Sequence, residues 1–270
     1  MLMLPTRKRP EKIKHFIQNA VERNTKHTIV IAVNQDDDSY DEIKLPTFMM
    51  MVKIPAHYKA AQAYHYIFEL FPNEPWYGIL ADDIIIHTDH WDSHIATSVV
   101  KHHLVYCRTD VNKQDMRKDM GHYFLSNRLA HAIGGTNYPG FIHMGPEYYA
   151  FATGRVILGH YAYHKDIILE HINDERRSQD TTYAGARQYY PEDKSRWLLL
   201  RLSSYFVELC EVAKRRFLGE KIDLIPIPKE LQREHFFEMA LLPTYPTLPQ
   251  NSQMRHVLDK LYPELKQLNR

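Results

Sequence analysis

Two adjacent carboxylates interrupt an apolar run: Trp76-Tyr77-Gly78-Ile79-Leu80-Ala81 leads into Asp82-Asp83, with Ile84-Ile85-Ile86 and Trp91-Asp92 beyond. Such a run reads as a buried strand, and a central strand delivers its last side chains to the sheet's carboxyl edge, where open α/β folds bind ligands. Neighbouring acids there repel and lose hydration unless a cation compensates them. A divalent metal that also bridges phosphate oxygens does so. A polar strand end followed by a turn is the plainer reading. Further clusters stand ready to join such a site. The basic loop Pro5-Thr6-Arg7-Lys8-Arg9-Pro10 follows one apolar run, and Asn34-Gln35-Asp36-Asp37-Asp38 ends another. In Gly145-Pro146-Glu147, proline followed by an acid suits a helix start, which orients Glu147 at a positive dipole end.

The elements that must position these residues follow from periodicity. Residues 1–4, 28–33, 48–54 and 76–81 read as strands, and 11–24 and 56–71 carry the apolar spacing of helices. Strands alternating with helices predict a mostly parallel sheet covered on both faces. Polar loops after the first, second and fourth strands then share one edge. Residues 91–102 read as another helix and 104–107 as a short strand, while 132–140 are rich in breakers and read as a loop. Residues 173–183 read as a polar loop, 195–218 as one long amphipathic helix closed by Gly219, and the rest as a proline-punctuated helical tail.

Composition narrows the class. A formal net charge of +1 supplies no global field for nucleic acid or membrane, although 17 histidines add positive charge below neutral pH. Cys107 and Cys210 lie far apart and form no metal-type pair, which fits a reducing cytoplasm. No apolar run approaches the roughly 20 residues that span a bilayer. No membrane partner is therefore expected.

Taken together, these pieces resemble the GT-A glycosyltransferases, most closely a family-2-like branch of bacteriophage type. The resemblance is carried by Pro5-Thr6-Arg7-Lys8-Arg9-Pro10, by Asp82-Asp83 followed by Thr88 and Trp91-Asp92, and by Glu170-His171 followed by Asp180-Thr181-Thr182-Tyr183. It implies an α/β, Rossmann-like GT-A domain over residues 1–194, with a mostly parallel sheet flanked by helices, and a C-terminal helical extension over 195–270. The implied reaction moves a hexose-type sugar from a nucleotide-diphosphate sugar, UDP-linked, to a hydroxyl acceptor. Ala81 stands where the family's D-x-D pattern often has its first acid, so the metal falls to Asp83 with His171, and Asp82 to the donor site. The ion is Mn2+ or Mg2+, and an imidazole ligand favours manganese. Pro5, Thr6, Arg7 and Arg9 line the donor's phosphates, and Asp36, nearest its strand end, accepts the uracil imino proton. Glu147 is the candidate general base, although the family usually shows Asp; Asp180 comes second and Asp193 third. Tyr148 and Tyr149 shape an acceptor pocket or pack the core, and Trp91 is structural.

The phage-type resemblance implies a hydroxylated DNA base as acceptor and the host cytoplasm as location. Lys214-Arg215-Arg216 and Arg233 then contact phosphates, or form a solvated helix face. Two other functions fit the same features. A nucleotidyltransferase also uses paired carboxylates, metal and a basic loop, but that loop is usually glycine-rich and residues 5–10 contain no glycine. A sugar- or nucleic-acid-binding module without turnover is the non-catalytic alternative. The sequence assigns no oligomeric state.

Overall fold

A computed structural model describes residues 1–111, 121–143, 145–172 and 188–228. In chain order its elements are β1 (Leu2–Thr6), α1 (Pro10–Glu22), β2 (Ile29–Asn34), β3 (Met49–Ile54), α2 (Ala60–Leu70), β4 (Trp76–Ile79) and β5 (Ile84–Ile86). There follow α3 (Trp91–His102), β6 (Leu104–Arg108), β7 (Tyr123–Ser126), α4 (Asn127–Ile133), α5 (Pro146–Leu158), β8 (Ala162–His171), α6 (Tyr190–Leu202) and α7 (Ser204–Phe217). The strands form one sheet in the order β3-β2-β1-β4-β7-β6-β8-β5.

The first four positions are parallel, as strands alternating with helices predict. Beyond β4 the sheet is mixed: β7 runs antiparallel to both β4 and β6, β8 runs parallel to β6, and β5 antiparallel to β8. The carboxyl ends of β1, β2, β4, β6 and β8 therefore share one edge, together with the amino end of β7.

Period-two alternation splits the core into two layers. Met3, Val30, Ala32, Tyr77, Leu104, Tyr106, Tyr123 and Leu125 face α2, α4, α5 and α7. Leu2, Leu4, Ile29, Ile31, Val105 and Phe124 face α1 and α3. Cys107 and Cys210 lie buried in different layers and form no disulfide with each other. No described helix is long and apolar enough to cross a membrane.

Three features differ from the sequence expectation. Residues 76–86 are two strands, and Asp82 and Asp83 occupy the turn between them. The long helix over 195–218 is two helices: Ser203 adopts an extended backbone and its side chain accepts the Phe206 N–H, so an N-cap replaces continued helix. The third is that β7 and α4 occupy a stretch that shows no clear periodicity in the sequence. Four buried residues are too short to display an alternation.

Trp91 and Asp92 serve the scaffold. Asp92, fully buried, accepts the backbone N–H groups of Lys26 and His27 and contacts His27 Nδ1 at 2.9 Å, while Trp91 Nε1 donates to Thr25 Oγ1. The start of α3 thereby pins the turn between α1 and β2. In β4, a Cβ on Gly78 would lie 2.5 Å from Phe124 Cδ1 and 2.7 Å from Leu2 Cδ2. Gly78→Ala should destabilise the fold by about 1–3 kcal/mol, the usual cost of overpacking, read as a lowered urea midpoint with unchanged slope. A midpoint equal to wild type would show that β4 and β7 are less closely packed than described.

Candidate functional site

Loops from several elements meet at the shared edge. The loop after β1 is cinched to the carboxylate turn: Thr6 Oγ1 donates to Asp82 Oδ2 at 2.7 Å and lies 2.8 Å from the Tyr40 hydroxyl, which accepts the Arg9 N–H. Arg9 Nη1 completes the ring of contacts at 2.8 Å from Asp82 Oδ1. Burial pushes the Asp82 carboxyl up and its neighbour Asp83 adds to the rise, while the Arg9 guanidinium and the Thr6 hydroxyl oppose it. Asp82 thus faces inward and ties two loops together.

Asp83 takes the opposite direction. Its Oδ1 lies 2.9 Å from Nε2 of His171, the last residue of β8, and its carbonyl accepts the Ile172 N–H. The neighbouring acids are therefore separated in role, one bound to the basic loop and the other to an imidazole. The two ligands expected from sequence for a metal, Asp83 and His171, do come together. Cis ligands about 2.1 Å from an octahedral cation lie about 3 Å apart, so an oxygen and an imidazole nitrogen at 2.9 Å suit adjacent positions on Mn2+ or Mg2+. Among the described residues no three His, Cys, Asp or Glu side chains already surround one point. A metal held by this pair would need further ligands to complete its shell.

The remaining predicted residues fall around this pair. Pro5 sits within β1 in register with Ala32. Arg7 reaches Asp36 at 2.6 Å and the Ala56 carbonyl at 2.7 Å, and Asp36 stays largely open to solvent. The next acid, Asp37, is buried and structural: it accepts the Lys8 N–H and both the N–H and hydroxyl of Ser39. Glu147 begins α5, where Gly145 holds a left-handed backbone (φ +92°) whose Cβ would approach the Phe141 ring at 3.2 Å. Part of Glu147 remains accessible, yet burial pushes its carboxyl up to about 7; its own backbone N–H and nearby His171 pull it down, and Asp193 pushes it up. A carboxyl titrating there suits proton transfer near neutral pH. Asp193 is buried and both its oxygens accept backbone N–H groups, from Ile142 and His143, so it holds the loop before α5. Tyr149 is core, whereas Tyr148 is exposed and stacks on Trp197 at 6.4 Å between centroids. Asp180 lies outside the described residues.

Three residues that sequence reasoning did not single out belong to the same edge. Lys59, in the loop after β3, feels Arg7 and Asp36, and burial lowers its ammonium. His143 is pushed down to about 4 by burial, with Arg9 and Lys59 adding repulsion. Arg7, Arg9 and Lys59 are thus neighbours on the basic-loop side, with Arg7 and Arg9 paired to Asp36 and Asp82. His122, at the amino end of β7, is buried with its ring 5.5 Å from that of His171, and burial pushes it down to about 3. For Lys59 the available signal was position: the loop after a third parallel strand opens on the same edge as the others.

No protein-family model matches the sequence, and no curated protein matches it. Solved structures do. A mannosyltransferase from Pyrobaculum calidifontis, PcManGT, solved with GDP-Man and Mn2+, aligns over 82% of this chain and 75% of its own at 13% identity and a TM-score of 0.50. S. aureus TarS 1-349 in complex with UDP aligns over 82% of this chain and 66% of its own at 7% identity and a TM-score of 0.49. A CMP:2-keto-3-deoxy-manno-octonic acid synthetase with CTP aligns over 70% and 98%, at 9% identity and a TM-score of 0.45. The fold is GT-A-like: a curled eight-stranded α/β sheet flanked by helices, shared with a nucleotide-sugar mannosyltransferase.

The raised Glu147 carboxyl has a thermodynamic signature. Between its usual 4.5 and about 7 the native state holds a proton that the unfolded chain has lost, so this group's contribution to stability is complete below 4.5 and disappears as pH rises through 7. Urea unfolding at intervals from pH 4.5 to 8 should show that decline in wild type and less of it in Glu147→Gln. Parallel curves for the two proteins would place Glu147 in a solvated setting.

Proposed function

We propose that the protein is a metal-dependent glycosyltransferase that moves a sugar, of hexose type, from a UDP-sugar to a hydroxyl acceptor. The observation that supports it most is the meeting of Asp83 with His171 at 2.9 Å beside a cationic group of Arg7, Arg9 and Lys59 on a GT-A-like fold. Asp83 and His171 would hold Mn2+, or Mg2+, whose charge offsets that of the departing diphosphate. Arg7 and Lys59 contribute phosphate contacts from the open side, with Thr6 and Arg9 holding the loop's shape through Asp82. Asp36, exposed at the end of β2, accepts the uracil imino proton. Glu147, whose carboxyl burial pushes up to about 7, takes the proton from the acceptor hydroxyl.

The phage-type resemblance suggests a hydroxylated DNA base as acceptor, and the basic run on α7 lends it no support. Arg215 pairs with Glu220, and Arg216 donates to the carbonyls of Ile222 and His131. These arginines fasten the chain that follows α7. The proposed C-terminal extension, residues 195–270, begins within α6.

Calorimetry with UDP and Mn2+ tests the reading together with single-turnover transfer. Asp83→Ala should lose the Mn2+-dependent part of UDP affinity, whereas Glu147→Gln should bind UDP as wild type does and transfer sugar about 10²–10⁴ more slowly. Unchanged Mn2+-dependent affinity in Asp83→Ala would remove the metal from this site, and wild-type transfer by Glu147→Gln would remove the base.

A further inference from the structure

Arg201, in the last turn of α6, is a partly buried cation with no task in the fold or the site described above. Among the described residues it is the one arginine whose guanidinium has no hydrogen bond, ion pair or ring contact; its Nε is buried without a partner, and burial lowers the guanidinium with no neighbouring charge acting the other way. Arginine is seldom buried unless paired, because desolvating its charge costs free energy that a partner has to offset. Arg155 lies over the Tyr161 ring, and Arg216 reaches two carbonyls. A cation in the last turn of a helix also meets the favourable end of the dipole, but an exposed side chain does that equally well. The rest of α6 supplies another reason. Lys194, Trp197, Leu198 and Arg201 are spaced i, i+3, i+4 and i+7, which places them on one stripe of the helix. The acids of the same helix are engaged elsewhere: Asp193 holds the backbone of Ile142 and His143, and Glu192 pairs with Arg196. Along the stripe Lys194 and Leu198 are exposed, and Trp197 carries the stacked ring of Tyr148 at 20°. Tyr148 itself is 42% exposed and follows Glu147, so the stripe adjoins the candidate base.

We infer that this stripe is an acceptor subsite for a single strand of nucleic acid, with a base stacked on Tyr148 and phosphates at Lys194 and Arg201. The inference rests on the glycosyltransferase reading above and adds to it the residues that hold the acceptor. Seven residues of helix separate the two cations by about 10 Å, so they meet successive charges of a chain rather than one small anion. A flat ring beside them adds the stacking that distinguishes a nucleic acid from other polyanions, and an aromatic side chain stacks with any base. Edge-on contact of Trp197 with Phe206 at 5.9 Å fixes the platform on which Tyr148 rests. A duplex keeps its bases stacked on one another, so a single strand is the form that fits.

The test measures binding of a fluorescent single-stranded oligonucleotide to the full chain by anisotropy across a salt series, with UDP and Mn2+ binding followed by calorimetry on the same samples. Arg201→Gln should weaken the strand about tenfold or more and lower the slope of log affinity against log salt by about 0.7, the share of one phosphate contact. Lys194→Gln should lower the slope likewise. Tyr148→Ala should weaken the strand about fivefold or more and leave the slope as in wild type, since stacking releases no counterion. All three variants should bind UDP as wild type does. Removing a partly buried charge without a partner should not lower the urea midpoint of Arg201→Gln; a lowered midpoint with wild-type strand affinity makes Arg201 a structural residue and overturns the inference. A wild type that binds no strand, or binds duplex or inorganic polyphosphate as tightly as the strand, overturns it too, and leaves the donor reading standing. A wild type that binds the strand but no UDP overturns the acceptor role together with that reading.

Discussion

The sheet has to curl, and the connection that forces it is four residues long. β4 and β5 are neighbours in the chain but stand fourth and eighth in the sheet, a separation of about 19 Å if the strands lay flat at about 4.8 Å each. Even fully extended, the chain from Ile79 to Ile84 reaches at most about 18 Å, and it carries a turn at Asp82 and Asp83. The strands beyond β4 must therefore curl back. That curvature brings the end of β8 against the turn, where Ile172 N–H bonds to the Asp83 carbonyl and His171 meets the Asp83 side chain. The outer strand is then fastened to α1 through Asn19, whose side chain bonds both the N–H and the carbonyl of Ile86.

Within that turn, two like charges side by side are tolerable because their surroundings differ. Asp82 is drawn inward by Thr6 and Arg9, and through Tyr40 the same network sets the backbone of the basic loop. Asp83 meets the imidazole of His171 instead. A buried ion pair such as Arg9–Asp82 contributes little net stability, since desolvation offsets most of the attraction, but it fixes geometry. Its effect is to set the loop from which Arg7 reaches the Ala56 carbonyl in the loop after β3. Glu147 is shifted by another route, burial at a helix start, so that three differently partnered acids share one edge.

Much of this was legible in the sequence where local pattern and global position agree. The order of β1, α1, β2, β3, α2 and β4 follows from periodicity, and polar loops at the ends of parallel strands fall on one edge by topology alone. Asp82-Asp83 could be read as a site because two acids after a buried run need an explanation. The division of labour between them could not, because it depends on the curl that brings His171 near and on a hydroxyl from Tyr40, distant in the chain. β5 and β7 have three and four residues, too few for alternation to show. Ser203 breaks a helix whose apolar spacing continues past it, since capping geometry outweighs a weak periodic signal. His122 and His143 are lone histidines among 17, and only burial and neighbours distinguish them.

On the proposed function, this edge breaks the bond between a sugar and a nucleoside diphosphate with the help of a metal. Incubating the full chain with a panel of nucleotide sugars and Mn2+, without acceptor, and following the products by mass spectrometry tests it directly. Slow release of free sugar and UDP from a UDP-sugar, abolished by chelator, is the expected result. Exchange of sugar 1-phosphate with a nucleoside triphosphate, or binding of every donor without any release, would contradict it.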